Sequence, residues 1–454
     1  MNWLIMQRRW GIACVFLSHV NRDRTSQTGD RTMEIIQEHG TIFMFLAIIF
    51  GLYMCWGIGA NDVANAMGTS VGSGAITVKQ AILIAAVFEF AGAFIAGGQV
   101  TKTIRKGIID PAPIANNPEL LVYGMLAALL AAAIWLMIAS SKGWPVSTTH
   151  TIVGAIVGFA VVGIGPDAVK WQKISTVAAS WIVSPIVGGG IAYMLMISIR
   201  KLILNTDNPF QSARKWGPLY VFMVGFITAL VTLWKGLKHL KLDFSMAESF
   251  FISALIGLIV AYMGKRMIDK VKLDVEADRE YHFASVEKVF MPMMVFTACA
   301  MAFAHGSNDV ANGIGPLAAV VSIVQSGGEV AQKASLPVWI LVLGGVGIVI
   351  GLATMGHKVM QTIGTKITEL TPTRGYCATL ASAVTVVLAS KTGMPVSTTQ
   401  IAVGAVMGVG FARGIGALDM RVIGGIFLSW LVTLPAGGLL AAAIFFIIKG
   451  IFGS

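Results

Sequence analysis

The chain has 454 residues, 56% of them hydrophobic and only 12% charged, with a formal net charge of +11. A soluble protein carries about 25% charged residues, so a soluble fold is excluded. The positive balance does not point to nucleic acid, because Arg200, Lys201, Arg214 and Lys215 flank an apolar run, as topology-setting charge does in membrane proteins.

Residues 1–32 stand apart. "MNWLIMQRRWGIACVFLSHV" is too short an apolar stretch to span, and "NRDRTSQTGDRT" is polar and poor in helix formers. The basic residues and small-residue cleavage site of a signal peptide are not in place. This segment is expected to be a dispensable extension ahead of Met33. The four cysteines, Cys14, Cys55, Cys299 and Cys377, show no metal or redox spacing and read as apolar packing residues.

Twelve apolar runs follow, at about 41–60, 81–100, 121–140, 146–164, 174–199, 218–234, 247–264, 288–304, 337–355, 376–390, 396–412 and 422–449. A helix needs about 20 such residues to cross roughly 30 Å of hydrocarbon. The expected fold is therefore an all-α polytopic membrane protein of about twelve transmembrane helices. Residues 265–287 are the only long charged connector.

The chain repeats itself. GANDVANA around Asp62 returns as GSNDVANG around Asp309, and "WPVSTTHTIVGAIVG" (144–158) returns as "MPVSTTQIAVGAVMG" (394–408). Two long motifs at nearly one offset mark a duplication. With every run counted as a crossing, seven crossings separate the octets, and an odd number turns the copies upside down. Inverted-topology repeats with broken or re-entrant helices place substrate and ions where the copies meet. The expected organisation is 33–200 as first repeat, 201–264 as intervening helices, 265–287 as hydrophilic loop and 288–454 as second repeat.

Each octet puts a carboxylate inside an apolar run, at a cost of roughly 2.5–3.5 kcal/mol near mid-membrane. Helix capping would account for one Asn-Asp pair, but not for Asn65 and Asn312, which return on the aspartate's face three residues later. Asn61, Asp62, Asn65 and Asn308, Asp309, Asn312 are the candidate cation ligands, with Asp62 and Asp309 bearing the charge for Na⁺. A proton would need the carboxylates alone, whereas Na⁺ uses carboxamides and unwound carbonyls. Gly59 and Gly306 permit a break or a close backbone approach. Pro145 and Pro395 break helices or begin them at the first turn, and Ser147, Thr148, Thr149 and Ser397, Thr398, Thr399 follow at once. A helix N-terminus offers free N–H groups and the positive dipole end, an anion site. Glu89, in "AAVFEFAGAF", is a further carboxylate placed to couple ion and substrate. His150 and His305 read as packing residues.

On these residues, together with "TKTIRKGIIDP" (101–111), the chain resembles the inorganic phosphate transporter (PiT) family, nearer its sodium-type branch. The resemblance implies a twelve-span inverted repeat that is not an enzyme. It would be a secondary symporter taking up inorganic phosphate across the cell (inner) membrane, with Na⁺ or H⁺ as coupling ion. It implies no cofactor, only the bilayer, phosphate and the ion as partners, and leaves a homodimer open. The two octets then hold ion and phosphate, 147–149 and 397–399 cradle phosphate, and Glu89 matches an acidic residue of the family. Animal members carry a glutamate where Thr379 stands here, so ion stoichiometry does not transfer. The rival is a sulfate or other small-oxyanion permease on the same fold. An aspartyl hydrolase of the membrane would share a proton between two aspartates but would not need the asparagines.

A chain starting at Met33 is expected to insert and to transport as the full chain does. Lost transport at equal membrane abundance would show that residues 1–32 are needed.

Overall fold

In the computed structural model the backbone is described for all but residues 1, 111, 115–116, 236–243, 282, 330–335, 366 and 454, and the side chains of 2–34, 99, 105–106, 234–235, 361–365 and 415 also lie outside the description. Cys14 and the side chains of the 1–32 extension fall there. The described chain is helical throughout: α1 (Asn2–Gly72), α2 (Val78–Ala96), α3 (Gly98–Lys106), α4 (Pro118–Ser141), α5 (Thr148–Gly163), α6 (Trp171–Ile199), α7 (Pro209–Lys235), α8 (Met246–Ile268), α9 (Val275–Glu280), α10 (Ala284–Gln325), α11 (Val338–Thr365), α12 (Pro372–Lys391), α13 (Thr398–Arg413) and α14 (Met420–Phe452). The backbone of α1 runs back through the polar extension, against the expectation from its composition. Among the described residues nine helices are long and apolar enough to cross a membrane.

All twelve apolar runs are helices, but four of them do not cross one by one. α5 and α13 have 16 residues each, about 24 Å at 1.5 Å per residue, too short for the hydrocarbon. Each follows a partner helix through a tight break. α4 closes on Gly143 at φ 66°, with Trp144 N–H returning to Ala139 O at 2.9 Å; α12 closes on Gly393 at φ 69°, with Met394 N–H returning to Ala389 O at 3.3 Å. Only glycine adopts that left-handed turn without strain. Pro145 and Pro395 do not begin the next helix but lie two residues ahead of its cap, in the break, and Ser147 and Ser397 cap it by accepting from His150 N–H and Gln400 N–H, both at 3.2 Å.

The ends of each hairpin lie side by side. Lys170 N–H donates to Ile108 O and Asp110 N–H to Ala168 O, while Asp419 N–H donates to Ile367 O and Thr368 Oγ1 to Ala417 O. Both hairpins thus leave on the side where they came in. Two crossings drop out between α1 and α10, the count stays odd, and the inverted relation survives.

The octets do not end their helices. α1 continues unbroken to Gly72 and α10 to Gln325, so no unwound carbonyls occur at the motifs. The glycines serve close approach instead. A Cβ on Gly59 would run into Ile348 O of α11, and one on Gly306 into Glu89 O of α2; Gly351 and Gly92 meet Trp56 O and Phe303 O in return. Each repeat's first helix therefore packs backbone to backbone on the other repeat's second helix, as small residues allow inside a membrane. Gly154 and Gly404 do the same against Leu434 O of α14 and Pro185 O of α6. The repeats interlock rather than abut. Between them the charged connector folds on its own ion pairs, Lys265 to Asp269 at 2.7 Å and Lys288 to Asp274 at 2.7 Å.

Gly306→Val should lower thermal stability in detergent by several degrees, since over-packing a fixed backbone contact costs about 1–3 kcal/mol. Gly190→Ala, where an added Cβ meets nothing within 4 Å, should leave it unchanged. A Gly306→Val protein as stable as its parent would show that α2 and α10 can separate freely.

Candidate functional site

The interlock brings the C-terminal part of α1, the middle of α10 and both hairpin tips to one buried point. Asp62 and Asp309 are 0% exposed, and Asn61, Asn65, Asn308, Asn312 and the six serines and threonines of the tips are all buried. The twelve duplicated residues thus meet, although their roles divide.

Asn61 is spent on the first tip. Its Nδ2 donates to Ser140 Oγ at 3.1 Å and to Trp144 O at 3.0 Å, and its Oδ1 accepts from Val146 N–H at 3.2 Å. Asn308 does part of this for the second, its Nδ2 donating to Ser390 Oγ at 2.9 Å and to Met394 O at 3.5 Å, while its Oδ1 meets no donor. These amides hold broken backbone in place.

The second asparagine of each octet reaches across to the opposite repeat. Asn65 Nδ2 lies 2.9 Å from Thr399 Oγ1 and 3.2 Å from Thr398 Oγ1; Asn312 Nδ2 lies 3.1 Å from Thr149 Oγ1 and 3.2 Å from Thr148 Oγ1. The tips also bind each other, Thr149 Oγ1 donating to Val396 O at 2.9 Å and Thr399 Oγ1 to Val146 O at 3.1 Å.

The carboxylates lie within this net. Asp62 Oδ1 accepts from Asn65 Nδ2 at 3.1 Å and lies 3.3 Å from Thr399 Oγ1, which has a single hydrogen for Val146 O or for this carboxyl, and Asp309 Oδ2 accepts from Thr398 Oγ1 at 2.6 Å. Asp62 Oδ2, Asp309 Oδ1 and Asn312 Oδ1 are buried and meet no donor. Buried oxygens of this kind demand a partner. Hard carboxyl and carboxamide oxygens of this kind suit a small hard cation.

His305 is the residue that sequence reasoning undervalued. Its Nδ1 lies 3.2 Å from Glu89 Oε1 and its Nε2 lies 3.0 Å from Asp309 Oδ2, with all three side chains fully buried. Asp62, His305 and Asp309 each offer an atom within 4.8 Å of the others. The i, i+4 spacing of His305 and Asp309 was visible in the sequence; the approach of Glu89 from α2 was not. His150 is displaced from this centre, its ring 3.9 Å from that of Trp181.

A sequence model of the phosphate transporter family matches residues 58–441. A putative phosphate permease of Haemophilus influenzae is 52% identical over 420 residues, covering 92% of this chain and all of the relative. The chloroplastic inorganic phosphate transporter 2-1 of Arabidopsis thaliana is 42% identical over 417 residues, covering 88% of this chain and 71% of its own length. A solved sodium-dependent phosphate transporter superposes with a TM-score of 0.83 at 40% identity, covering 90% of this chain and 100% of that one. With that match spanning both octets and both hairpins, the chain belongs to the phosphate transporter family.

Proposed function

We propose that the protein takes up inorganic phosphate across the cytoplasmic membrane by symport with Na⁺, without acting as an enzyme. The observation that supports this best is the meeting of two helix N-termini, those of α5 and α13, over two buried carboxylates. The helix ends and the hydroxyls of Ser147, Thr148, Thr149, Ser397, Thr398 and Thr399 are built for an oxyanion. Hydroxyls both donate and accept, which suits a phosphate that still carries a proton better than sulfate, which carries none.

An anion cannot come to this place alone. At 4 Å two like charges repel by about 4 kcal/mol at the effective dielectric of a protein, so an oxyanion beside Asp62 and Asp309 is opposed by whichever of them is ionised. Cations held by Asp62, Asp309 and the carbonyl oxygens of Asn65 and Asn312 remove that repulsion and leave the helix dipoles to act. Cation and phosphate then stabilise each other, and neither occupies the site well without the other. That mutual dependence is what a symporter needs. Asn61 and Asn308 take part by positioning the tips. Glu89 couples to Asp309 through His305. Na⁺ is favoured over H⁺ because a proton has no use for the carboxamides.

Asp62→Asn and Asp309→Asn should each abolish Na⁺-driven phosphate uptake at unchanged membrane abundance. Near-normal uptake with unchanged Na⁺ dependence in either variant would assign that aspartate to structure.

Two Na⁺ with one H₂PO₄⁻ carry one positive charge inward, which gains about 2.3 kcal/mol per 100 mV. In proteoliposomes with Na⁺, pH and voltage set independently, uptake should follow Na⁺ and rise with a negative interior. Uptake that follows the pH gradient and ignores Na⁺ would refute the reading of the asparagines as sodium ligands.

A further inference from the structure

The carboxylate centre is built from α1, α10 and the two hairpins, while α7 and α8 lie outside the duplicated unit. α8 is the outermost of the apolar helices among the described residues, with only 17% of its most apolar stretch buried. One of its faces packs on α7 through glycine: a Cβ on Gly257 would meet Phe222 and Phe226, and one on Gly264 would meet Val221. The opposite face carries Phe251, Leu255, Leu258 and Tyr262, which are 72%, 60%, 60% and 59% exposed. Their spacing of i, i+4, i+7 and i+11 is that of a single helix face. Acyl chains cover that stripe.

Arg266, one helical turn past Tyr262, is exposed and continues the same face. Its Nε donates to Tyr262 Oη at 3.0 Å, and its guanidinium carbon stands 5.3 Å from the centre of that ring. Beside it Asp269 takes Lys265 Nζ at 2.7 Å and Arg214 Nη2 of α7 at 3.3 Å. Three cations thus gather on one carboxylate that the other two already occupy, and Lys215 and Lys270 flank them in the chain. Among the described residues Arg266 meets no carboxylate, and the bond to Tyr262 leaves its terminal NH₂ groups for another acceptor. Charge that only sets topology needs no fixed side-chain geometry. Here the tyrosine ring and hydroxyl hold the guanidinium where a lipid-facing stripe ends.

The acceptor has to be anionic, to answer the excess of positive charge, and has to carry an apolar body along α8. We propose that the connector end of α7 and α8 binds an anionic phospholipid. Its headgroup phosphate lies on Arg266, with Lys265 and Arg214 beside it, and an acyl chain follows the exposed face of α8. Guanidinium and phosphate oxygens suit each other as a two-pronged pair. A second copy inserted the same way up would bring these cations against their own like. The acidic half of the connector is already tied to α10, Asp274 to Lys288 at 2.7 Å and Asp278 Oδ1 to Ser285 N–H at 2.7 Å. Inorganic phosphate has no apolar body. Tyr220 of α7 links the patch to the second hairpin, its carbonyl accepting from Tyr376 Oη of α12 at 2.9 Å. A lipid held here therefore steadies the helix pair against the first arm of that hairpin.

The full chain is reconstituted in phosphatidylcholine vesicles containing a small share of phosphatidylglycerol with a diazirine on one acyl chain. A parallel arm carries the same share of diazirine-tailed phosphatidylcholine. After irradiation the adducts are mapped by mass spectrometry. On Leu258, Tyr262 and Met263 the phosphatidylglycerol label should exceed the phosphatidylcholine label by at least about fivefold, the preference that a single basic group confers beside an anionic headgroup. Leu431, exposed at mid-helix on α14, should take both lipids equally. The double variant Lys265→Gln, Arg266→Gln should bring the phosphatidylglycerol label down to the phosphatidylcholine level. Should that protein fail to insert, Arg266→Gln decides, and label should fall there too. Millimolar inorganic phosphate should displace nothing. Equal labelling by the two lipids, a preference as large at Leu431, and label unchanged in the variants would each overturn the proposal. So would displacement by inorganic phosphate, or label from neither lipid because a second copy covers the face.

Discussion

Broken backbone inside a membrane has to find hydrogen bonds within the protein, because no water is there to supply them. The two hairpin tips, 142–147 and 392–397, are such breaks, and everything at the centre of the molecule follows from how they are satisfied. The first tip gives Trp144 O and Val146 N–H to Asn61; its Val146 O goes to Thr399 of the second tip, which in turn gives Val396 O to Thr149 of the first. Neither tip is complete alone. Of the threonines that close this backbone net, Thr399 also reaches Asp62 and Thr149 also reaches Asn312, so the forces that let the hairpins exist also shape the polar centre they enclose.

The duplication, the hairpin prolines and the one-face spacing of aspartate and asparagine could all be read from the chain, because each is a local pattern that chemistry translates directly. Three things could not be read that way. An apolar run does not state whether its helix crosses or turns back; that depends on the pairing of segments such as Ile108 with Lys170, some 60 residues apart. A glycine beside a charged motif is compatible with a broken helix or with a tight crossing. Here backbone from the other repeat decides for the crossing. Asn61 and Asn65 look alike in sequence, yet one faces its own hairpin and the other its partner's, because residues four apart on a helix share a face only approximately.

The close approaches of the four glycines also give a residue-by-residue alignment of the two halves. Gly59 against Ile348 matches Gly306 against Glu89, so the residue before each glycine, Ile58 or His305, matches as well. Where the second octet has a buried His305–Glu89 contact, the first has two isoleucines. The hydroxyl-bearing tips are therefore duplicated and the groups behind the carboxylates are not. In one half His305 lies between Asp309 and a third carboxylate; in the other Ile58 and Ile348 stand at the matching positions, and Asp62 meets the same imidazole only across the centre.

That asymmetry bears on how an inverted repeat can work as a carrier. If both halves were identical, the inward-open and outward-open forms would be related by a two-fold rotation in the membrane plane and have equal free energy, and binding would be equally strong from either side. Asp62 and Asp309 would then be interchangeable. Placing Glu89 and His305 on the Asp309 side makes the polar groups around the centre unequal, while α1, α10 and the two tips keep the geometry common to both. A difference weighted to one carboxylate's side lifts the degeneracy without disturbing the shared framework. The duplicated residues thus supply that framework, and the unduplicated pair supplies the direction in which the two halves differ.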